Sequence, residues 1–328
     1  MRIGVGWNIG KWIVVVLVGM AVLPAAWAAD PQTKVTATEV KPPVARGLAT
    51  DEERTFVRRL EASLASREAS GPVEVMNFGV ASASTGSALV TWRGVAAGYR
   101  PDLVLLAFFT GNDFGDNSSR LTRAPRAYFE LDGAGRLVPG LEPEPTSALA
   151  RWLDRHSRLY VWQKAAFRRF RAARQRAVGG IEPGQLIFAR DGAPDVEHAW
   201  SLTAALLRAL RDEVEASGAR LGLVVVPCAE QVDDALWADL ERRARDAGVD
   251  LQREEASRRL EEIGAREGIP MVDLTPAFVA AARGPGGDAA SLYLLGRFHL
   301  SDAGHGVAAE AIHRFLTEGE GRRLLEPR

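Results

Sequence analysis

The stretch that most constrains the fold is Leu103 to Asn117, with the sequence LVLLAFFTGNDFGDN. Its first seven residues are all apolar, and the run stops at the turn-forming sequence TGND. A short uncharged run of this kind predicts a strand that is buried on both faces, as in the middle of a parallel sheet. Ligands of open α/β sheets bind beyond the carboxyl ends of such strands. Asn112 and Asp113 therefore stand where chemistry is usual, although Gly-Asn-Asp is equally typical of a plain turn.

The composition is that of an ordinary globular protein. The chain has 328 residues, of which 47% are apolar and 25% charged, and its formal net charge is −1. This length and balance allow one substantial hydrophobic core. A nucleic-acid-binding protein would normally carry a clear excess of basic residues, so we expect no nucleic-acid partner. The composition does not indicate an oligomeric state.

The first 28 residues predict a signal for export to the periplasm or the medium. Arg2 and Lys11 precede an apolar stretch that begins at Trp12 and ends in Ala26-Trp27-Ala28. A positive start, a short apolar region and an Ala-x-Ala site are typical of a signal peptide, here cleaved after Ala28. The alternative is an uncleaved N-terminal anchor, although an apolar core of about 16 residues is short for a membrane span. We thus predict a signal peptide over 1–28, a polar segment over 29–46, a folded domain over 47–328, and no span in the mature chain.

The rest of the chain alternates between predicted helices and strands. Thr50 and Glu53 form a candidate capping box for a helix that buries Phe56, Val57, Leu60 and Leu64. Asp195 is the candidate cap of a later helix. The further predicted elements are a strand over 73–78, a helix over 89–99, a strand over 221–226, helices over 234–247 and 251–266, a strand over 271–274 and a helix after Ser301. This order predicts one three-layer, flavodoxin-like α/β domain with a parallel sheet and right-handed crossovers.

Residues 118–194 interrupt the alternation and predict an insertion. Two strand-like stretches, 128–131 and 136–138, are joined by Asp-Gly-Ala-Gly and predict a hairpin. A basic helix is predicted from Leu149 to about Ala177. Its arginines include Arg168, Arg169, Arg171, Arg174 and Arg176. A solvated helix face explains this pattern best, with a lid or a partner surface as the alternatives.

Cysteine and histidine patterns predict neither a disulfide nor a metal site. Cys228 is the only cysteine and follows an apolar run, so we expect a buried structural thiol. The acidic cluster Asp113, Asp116 and Asn117 lacks the spacing of a calcium loop. His299, His305 and His313 are not completed by the residues of a zinc site, and His305 fits a helix position. No phosphate-binding glycine motif occurs, so no cofactor is expected.

Three segments have the residue types that acyl transfer uses. Gly79–Gly86 and Thr110–Asn117 follow two predicted strands, which we take as neighbours in the sheet, and Gly296–His305 leads into the last helix. An exposed amide and a loop rich in backbone N–H groups can stabilise an oxyanion. A histidine at a helix entry can move a proton. The three segments together predict a hydrolytic or acyl-transfer site.

The runs VEVMNFGVASAST, PDLVLLAFFTGNDFGDN and HLSDAGHGVAAEAI resemble the SGNH/GDSL hydrolase superfamily, in order and spacing, from about Gly47 to Leu316. The resemblance implies a flavodoxin-like fold and action on small esters or acylated carbohydrate through a Ser-His-Asp triad. It also implies that the side chain of Asn112 and the backbone N–H of Ser82 are oxyanion donors. His299 would be the general base.

Two members of that triad have no match in this chain. The family's Gly-Asp-Ser turn falls on Lys41-Pro42-Pro43, and no serine lies between Asp30 and Ser63. The acid that precedes the histidine falls on Gly296 or Arg297. The candidate substitutes are the hydroxyls of Ser82, Ser84 and Ser118 and the carboxylates of Asp113, Asp116 and Asp302. In a serine protease, loss of the acid alone lowers the rate about 10⁴-fold.

These losses leave three hypotheses. The chain is an ester hydrolase with impaired activity, or a catalytically degenerate binding or scaffold protein that keeps the fold. The third hypothesis is that the residues before Gly47 come from a misassigned or rearranged gene start that displaced the Gly-Asp-Ser strand.

Overall fold

A parallel β-sheet organises the molecule. The computed structural model describes residues 12–20, 51–66, 73–81, 83–122, 128–140, 147, 149, 152–153, 156–160, 162–163, 180–190, 192–294 and 299–326. In chain order the strands are β1 (Trp12–Met20), β2 (Val73–Asn77), β3 (Val80–Ala81), β4 (Leu103–Phe109), β5 (Phe129–Leu131), β6 (Leu137–Pro139), β7 (Arg220–Val226), β8 (Met271–Asp273), β9 (Tyr293–Leu294) and β10 (His299–Leu300). The α-helices are α1 (Phe56–Ala65), α2 (Thr85–Gly94), α3 (Asp113–Asn117), α4 (Pro194–Ala216), α5 (Ala229–Val232), α6 (Asp234–Asp246), α7 (Glu255–Glu267), α8 (Thr275–Arg283) and α9 (Asp302–Glu318).

The main sheet has the strand order β2-β1-β4-β7-β8, and β3 pairs with the end of β1. All of its pairings are parallel. From β1 the chain moves to β2 on one side and then to β4, β7 and β8 on the other. Because the crossovers are right-handed, the helix that leads to β2 lies on one face of the sheet and the helices that lead to β4, β7 and β8 lie on the other. Accordingly α1 packs against α9, while α2 packs against α4 and α4 against α7. The order therefore reverses between β1 and β4, where open α/β sheets place their ligand crevice.

The central strand has the predicted bounds and the predicted burial. Each of the seven residues of β4 is at most 2% exposed. Its neighbours are β1 on one side and β7 on the other. Helices cover both faces of the sheet, so a strand in this place has no polar face and reads as one apolar run. The predicted three-layer α/β fold is confirmed.

The first strand of the sheet is a segment that the sequence assigns to the export signal. β1 pairs with β2 from Trp12↔Val73 to Val16↔Asn77, and with β4 from Val14↔Leu103 to Val18↔Ala107. The prediction that the strands before the loops 79–86 and 110–117 are neighbours is therefore wrong, because β1 lies between them. Cleavage after Ala28 would remove β1.

The predicted buried face of the first helix is confirmed, whereas two predicted helix starts are corrected. Phe56, Val57, Leu60 and Leu64 are the buried residues of α1. The N-cap of α1 is Thr55, whose hydroxyl accepts the N–H of Arg58, and not Thr50, which lies outside the described residues. The N-cap of α4 is Ala193, because Pro194 occupies the first helical position and Asp195 the second. Proline has no N–H to lose and is well suited to that first position.

The insertion contains the predicted hairpin. β5 pairs with β6, and the side chain of Asp132 accepts the N–H groups of Ala134 and Arg136 at 2.9 Å each, which closes the turn. Described residues between 149 and 163 are helical apart from Ser157. The predicted basic helix beyond them, with Arg168 to Arg176, lies outside the described residues. No helix in the described part of the chain is long and apolar enough to cross a membrane.

His305 joins the last helix to the first. It lies in the first turns of α9, and its Nδ1 accepts the backbone N–H of Phe56 at 3.2 Å. The two rings stack with their centroids 5.8 Å apart. Burial, followed by the charge of Arg59, lowers the pKa of His305 from 6.5 to about 4. The imidazole is therefore neutral in the fold and caps an otherwise unpaired donor at the start of α1.

We expect removal of residues 1–28 to abolish cooperative folding. Without β1, β2 and β4 would lie about 9–10 Å apart, too far for hydrogen bonds. Each buried backbone group left unpaired costs about 1–3 kcal/mol, against a total stability of about 5–15 kcal/mol. Denaturant unfolding followed by near-UV circular dichroism measures this. A variant that lacks only residues 1–10 should unfold like the full chain. Cooperative unfolding of the shorter variant at the same midpoint would show that β1 is dispensable.

We expect the stability to fall by about 2 kcal/mol between pH 7 and pH 5 through His305 alone. The unfolded imidazole takes up a proton near pH 6.5, whereas the folded one does so only near pH 4. Stability is therefore complete above pH 6.5 and is lost as the pH falls towards 4. His305→Asn keeps an acceptor for the N–H of Phe56 without titrating, so its free energy of unfolding should depend less on pH. His156→Asn, at an exposed position, is the matched control. An unchanged slope in His305→Asn would contradict this assignment.

Candidate active site

The turn after β4 places Asn112 at the point where the strand order reverses. A Cβ on Gly111 would lie 2.7 Å from Cζ of Phe109 and 3.3 Å from Cβ of Cys228, so only glycine fits the turn. On the other side, a Cβ on Gly184 would collide with the carbonyl oxygen of Gly111. The backbone around Asn112 is thus held between close neighbours. Asn112 is half-buried and precedes the first residue of α3.

A carboxylate fixes the orientation of the Asn112 amide. Nδ2 of Asn112 donates to Oδ2 of Asp116 at 2.6 Å. The reversed amide would point its oxygen at the carboxylate, which is repulsive, so Asp116 decides which end carries the donors. Nδ2 has a second hydrogen that this bond does not use. The amide is therefore presented as a donor at the carboxyl edge of the sheet. The i, i+4 spacing on α3 is the sequence signal for this pair.

Asn117 ties the second predicted loop to the same edge. Its Oδ1 accepts the backbone N–H of Gly86 at 3.2 Å. Its Nδ2 lies 3.2 Å from the hydroxyls of both Thr85 and Thr203. The start of α2, the end of α3 and the middle of α4 are therefore linked by one buried side chain. The loops 79–86 and 110–117 meet in this way although β1 separates their strands.

Among the candidate hydroxyls, those of Ser84 and Ser118 are not placed to act as nucleophiles. Ser82 lies outside the described residues, so its predicted role as an oxyanion donor stays a prediction. The hydroxyl of Ser84 accepts the N–H of Ser87 and caps α2. Ser118 is fully buried, and its hydroxyl has no hydrogen-bond partner in the described part of the chain. A side chain with no exposed surface cannot reach a substrate.

The chain after β1 also offers no nucleophile in its sequence. β1 is the first strand of the sheet and ends at Met20. The next residues are Ala21, Val22 and Leu23, and the first serine of the chain is Ser63. In α1, the hydroxyl of Ser63 donates to the carbonyl of Arg59 at 2.9 Å.

His299 is neutral and lies in a hairpin. It belongs to β10 and pairs with Leu294 of β9. Burial lowers the pKa of His299 from its ordinary value of 6.5. A neutral imidazole can accept a proton, as a general base must. Among the described residues no carboxylate or hydroxyl is hydrogen-bonded to this ring. Gly296 and Arg297 lie outside those residues.

The hairpin of His299 is attached to the carboxyl edge of β7, next to β4. The hydroxyl of Tyr293 in β9 donates to the carbonyl of Pro227 at 3.0 Å. The following N–H, of Cys228, donates to the hydroxyl of Thr110 at 2.9 Å, two residues before Asn112. These bonds connect the segment of His299 to that of Asn112 at one edge of the sheet.

Cys228 is buried, as predicted, and is not a nucleophile. Burial, followed by the charge of Glu230, raises the pKa of its thiol well above the ordinary value. Burial raises the pKa of Tyr293 in the same way. Both side chains therefore stay neutral and serve as structural groups. Among the described residues no group of three or more His, Cys, Asp or Glu side chains is placed to hold a metal ion.

The candidate acids have other partners. Oδ2 of Asp113 accepts the N–H of Phe109 at 2.9 Å, and Asp116 binds Asn112. Asp302, the first residue of α9, accepts from Arg54 at 2.6 Å. None of the three is hydrogen-bonded to His299 in the described structure. The described residues therefore include an oriented amide donor and a neutral imidazole, and none of them offers this imidazole a hydrogen-bonded acid or hydroxyl.

Comparisons with solved structures find similar folds. A lipase/acylhydrolase from Enterococcus faecalis is 13% identical, with 95% of this chain and 97% of that chain covered and a TM-score of 0.45. LAE5, an alpha/beta hydrolase from the metagenome of Lake Arreo, is 15% identical, with 97% and 98% covered and a TM-score of 0.46. A catalytic mutant of an acetylxylan esterase from Geobacillus stearothermophilus is 14% identical, with 98% and 100% covered and a TM-score of 0.45. At these values the likenesses carry no functional argument.

A comparison with curated protein sequences finds no match. The profile of the GDSL-like Lipase/Acylhydrolase family matches residues 43–307, which is well over half of the chain. The match begins after β1. It confirms the resemblance that rests on the runs around Ser82, Asn112 and His299. The chain therefore belongs to the GDSL-like lipase/acylhydrolase family, a family of ester hydrolases.

Proposed function

We propose that this chain binds acyl esters, among them acylated carbohydrate, and hydrolyses them slowly with water as the nucleophile. The observation that carries the proposal is an oriented amide donor, Asn112, at the edge that also holds the neutral His299. No described hydroxyl is hydrogen-bonded to that imidazole. Since no hydroxyl in the described part of the chain takes that place, we assign water as the molecule that this base activates. The family supports the ester class, and the sequence resemblance supports acylated carbohydrate.

In the proposed reaction His299 takes a proton from water, and the hydroxide oxygen bonds to the acyl carbon. The carbonyl oxygen becomes an oxyanion, which the free hydrogen of Asn112 Nδ2 and the backbone N–H of Ser82 stabilise. The bond to the alcohol then breaks, and the imidazolium returns the proton to the leaving oxygen. An oxyanion hole and substrate binding without a working triad still give about 10³–10⁴-fold acceleration over water. We therefore expect weak turnover.

A binding or scaffold module is the second candidate. It is favoured by the absence of a serine between residues 1 and 62 and by the other partners of Asp113, Asp116 and Asp302. A module of this kind would bind the same esters and leave them intact. The two candidates differ only in turnover, which a single assay resolves.

We expect burst-free hydrolysis of p-nitrophenyl acetate and no labelling by a fluorophosphonate probe. His299→Ala and Asn112→Ala should each lower the rate by up to about 10²-fold, because one removes the base and the other an oxyanion donor. The rate should fall only below pH 6.5, because the pKa of His299 is lowered and the neutral imidazole is the active form.

Two variants serve as controls for this assay. Ser118→Ala removes a buried hydroxyl and His156→Ala a surface imidazole, and neither should change the rate. A labelled serine or threonine would contradict water attack. If the rate of ester hydrolysis equals that of buffer alone, the binding or scaffold module is the candidate that remains.

Export remains a proposal, and β1 gives it a clear test. Both cleavage after Ala28 and anchoring in a membrane require residues 12–20 to leave the sheet. The intact mass of the protein recovered from each cell fraction measures this directly. Cleavage and an essential β1 exclude each other, because a chain that begins at Ala29 lacks Trp12–Met20. A folded periplasmic chain that begins at Ala29 would therefore make β1 dispensable and support export with cleavage. A folded chain that still contains Trp12–Met20 would contradict it.

A further inference from the structure

The insertion exposes large apolar side chains to solvent. Leu149 is 65% exposed, Trp152 58%, Leu159 63% and Trp162 67%. The only other exposed large hydrophobic side chain in the described part of the chain is Val90, at 44%. Scattered single residues of this kind need no explanation, but a cluster of four within 14 positions does. We call these four residues the insertion patch.

The exposure of the insertion patch follows from helix geometry. The described residues on either side of Ser157 are helical, and the hydroxyl of Ser157 accepts the N–H of Tyr160 at 3.2 Å. Leu153 and Tyr160, on the inward side, are half-buried. Leu149 and Trp152 precede Ser157, and Leu159 and Trp162 follow it; each pair is three positions apart and so shares one side of its helical stretch. The large apolar side chains of these stretches are therefore turned towards solvent.

The segment around the insertion patch is strongly basic. Residues 149–177 contain nine Lys or Arg and one Asp, a net charge of +8. The whole chain carries −1, so the other 299 residues carry −9. Arg158, between Trp152 and Leu159, is exposed. In the sequence, the exposed apolar groups and the positive charge therefore fall in one segment of a chain that is otherwise acidic.

We propose that the insertion patch docks on an anionic phospholipid bilayer. Tryptophan and leucine beside Lys and Arg are typical of helices that lie in the membrane interface, where indole rings are especially favoured. A single-stranded nucleic acid would stack on Trp152 and Trp162 but would gain nothing from Leu149 and Leu159. A second copy of the segment would bring two charges of +8 together. Docking is independent of the proposed ester hydrolysis.

Co-sedimentation with lipid vesicles tests the proposal. The full chain should bind vesicles that contain about a third phosphatidylglycerol at least about tenfold more tightly than vesicles of phosphatidylcholine alone. Binding should weaken steeply when NaCl is raised from about 0.05 M to about 0.5 M. The double variant Trp152→Ser, Trp162→Ser should lose about tenfold or more of the affinity. Arg158→Ala should lose about fivefold.

The control variant is Val90→Ser, which changes the exposed apolar residue of α2 and should bind like the full chain. All variants change exposed side chains, so their thermal unfolding and their hydrolysis of a soluble ester should be unchanged. Equal binding to both vesicle types, or no binding, would overturn the proposal. The proposal would also be overturned if light scattering showed a dimer of the full chain that becomes a monomer in the double tryptophan variant. A further outcome is that the double tryptophan variant binds polyphosphate as the full chain does while neither protein binds vesicles. This result would show that the segment attracts anions by charge alone, and it would overturn docking on a bilayer.

Discussion

The structure depends on hydrogen bonds along both edges of β4. This strand has no exposed residue, so water cannot satisfy its backbone groups, and each of them needs a partner in the protein. β7 supplies the partners on one side and β1 on the other. The bonds to β1 also hold β2 and α1 in place, because β2 meets the rest of the sheet through β1. The segment Trp12–Met20 thus decides whether half of the sheet is attached to the other half.

The two sides of the proposed site rest on different parts of the chain. β1 and β4 are neighbours where the strand order reverses, and the turn after β4 carries Asn112. The triad implied by the family resemblance needs a serine hydroxyl, and the first serine of the chain is Ser63. The oxyanion side is built separately, from the turn after β4 and from Asp116 and Asn117 on α3. The oxyanion donor of the proposed site can therefore be present without the nucleophile.

The sequence predicts those elements whose signal is local. The burial of β4, the buried face of α1 and the hairpin of the insertion all follow from the spacing of apolar residues and the turn-forming residues within each segment. β1 could not be identified in this way, because a buried central strand and the core of an export signal are both short apolar runs. Its place between β2 and β4 depends on partners 60 to 90 residues away. The sequence did not predict that Asp116 orients the Asn112 amide, because a carboxylate in an acidic turn can equally cap a helix, close a turn or face solvent.

The Asn112–Asp116 pair limits what the remaining site can achieve. The carboxylate gives the amide one orientation before substrate arrives, and such preorganisation is the main source of oxyanion stabilisation. A developing oxyanion on the same amide would, however, feel the negative charge of Asp116 only a few ångströms beyond the donor nitrogen. In a complete triad the imidazolium offsets such repulsion at the moment of attack. In the proposed reaction that task would fall on His299, and no acid in the described part of the chain is hydrogen-bonded to its ring. We therefore expect the position of this ring during proton transfer to set the rate more than the strength of the amide donor does.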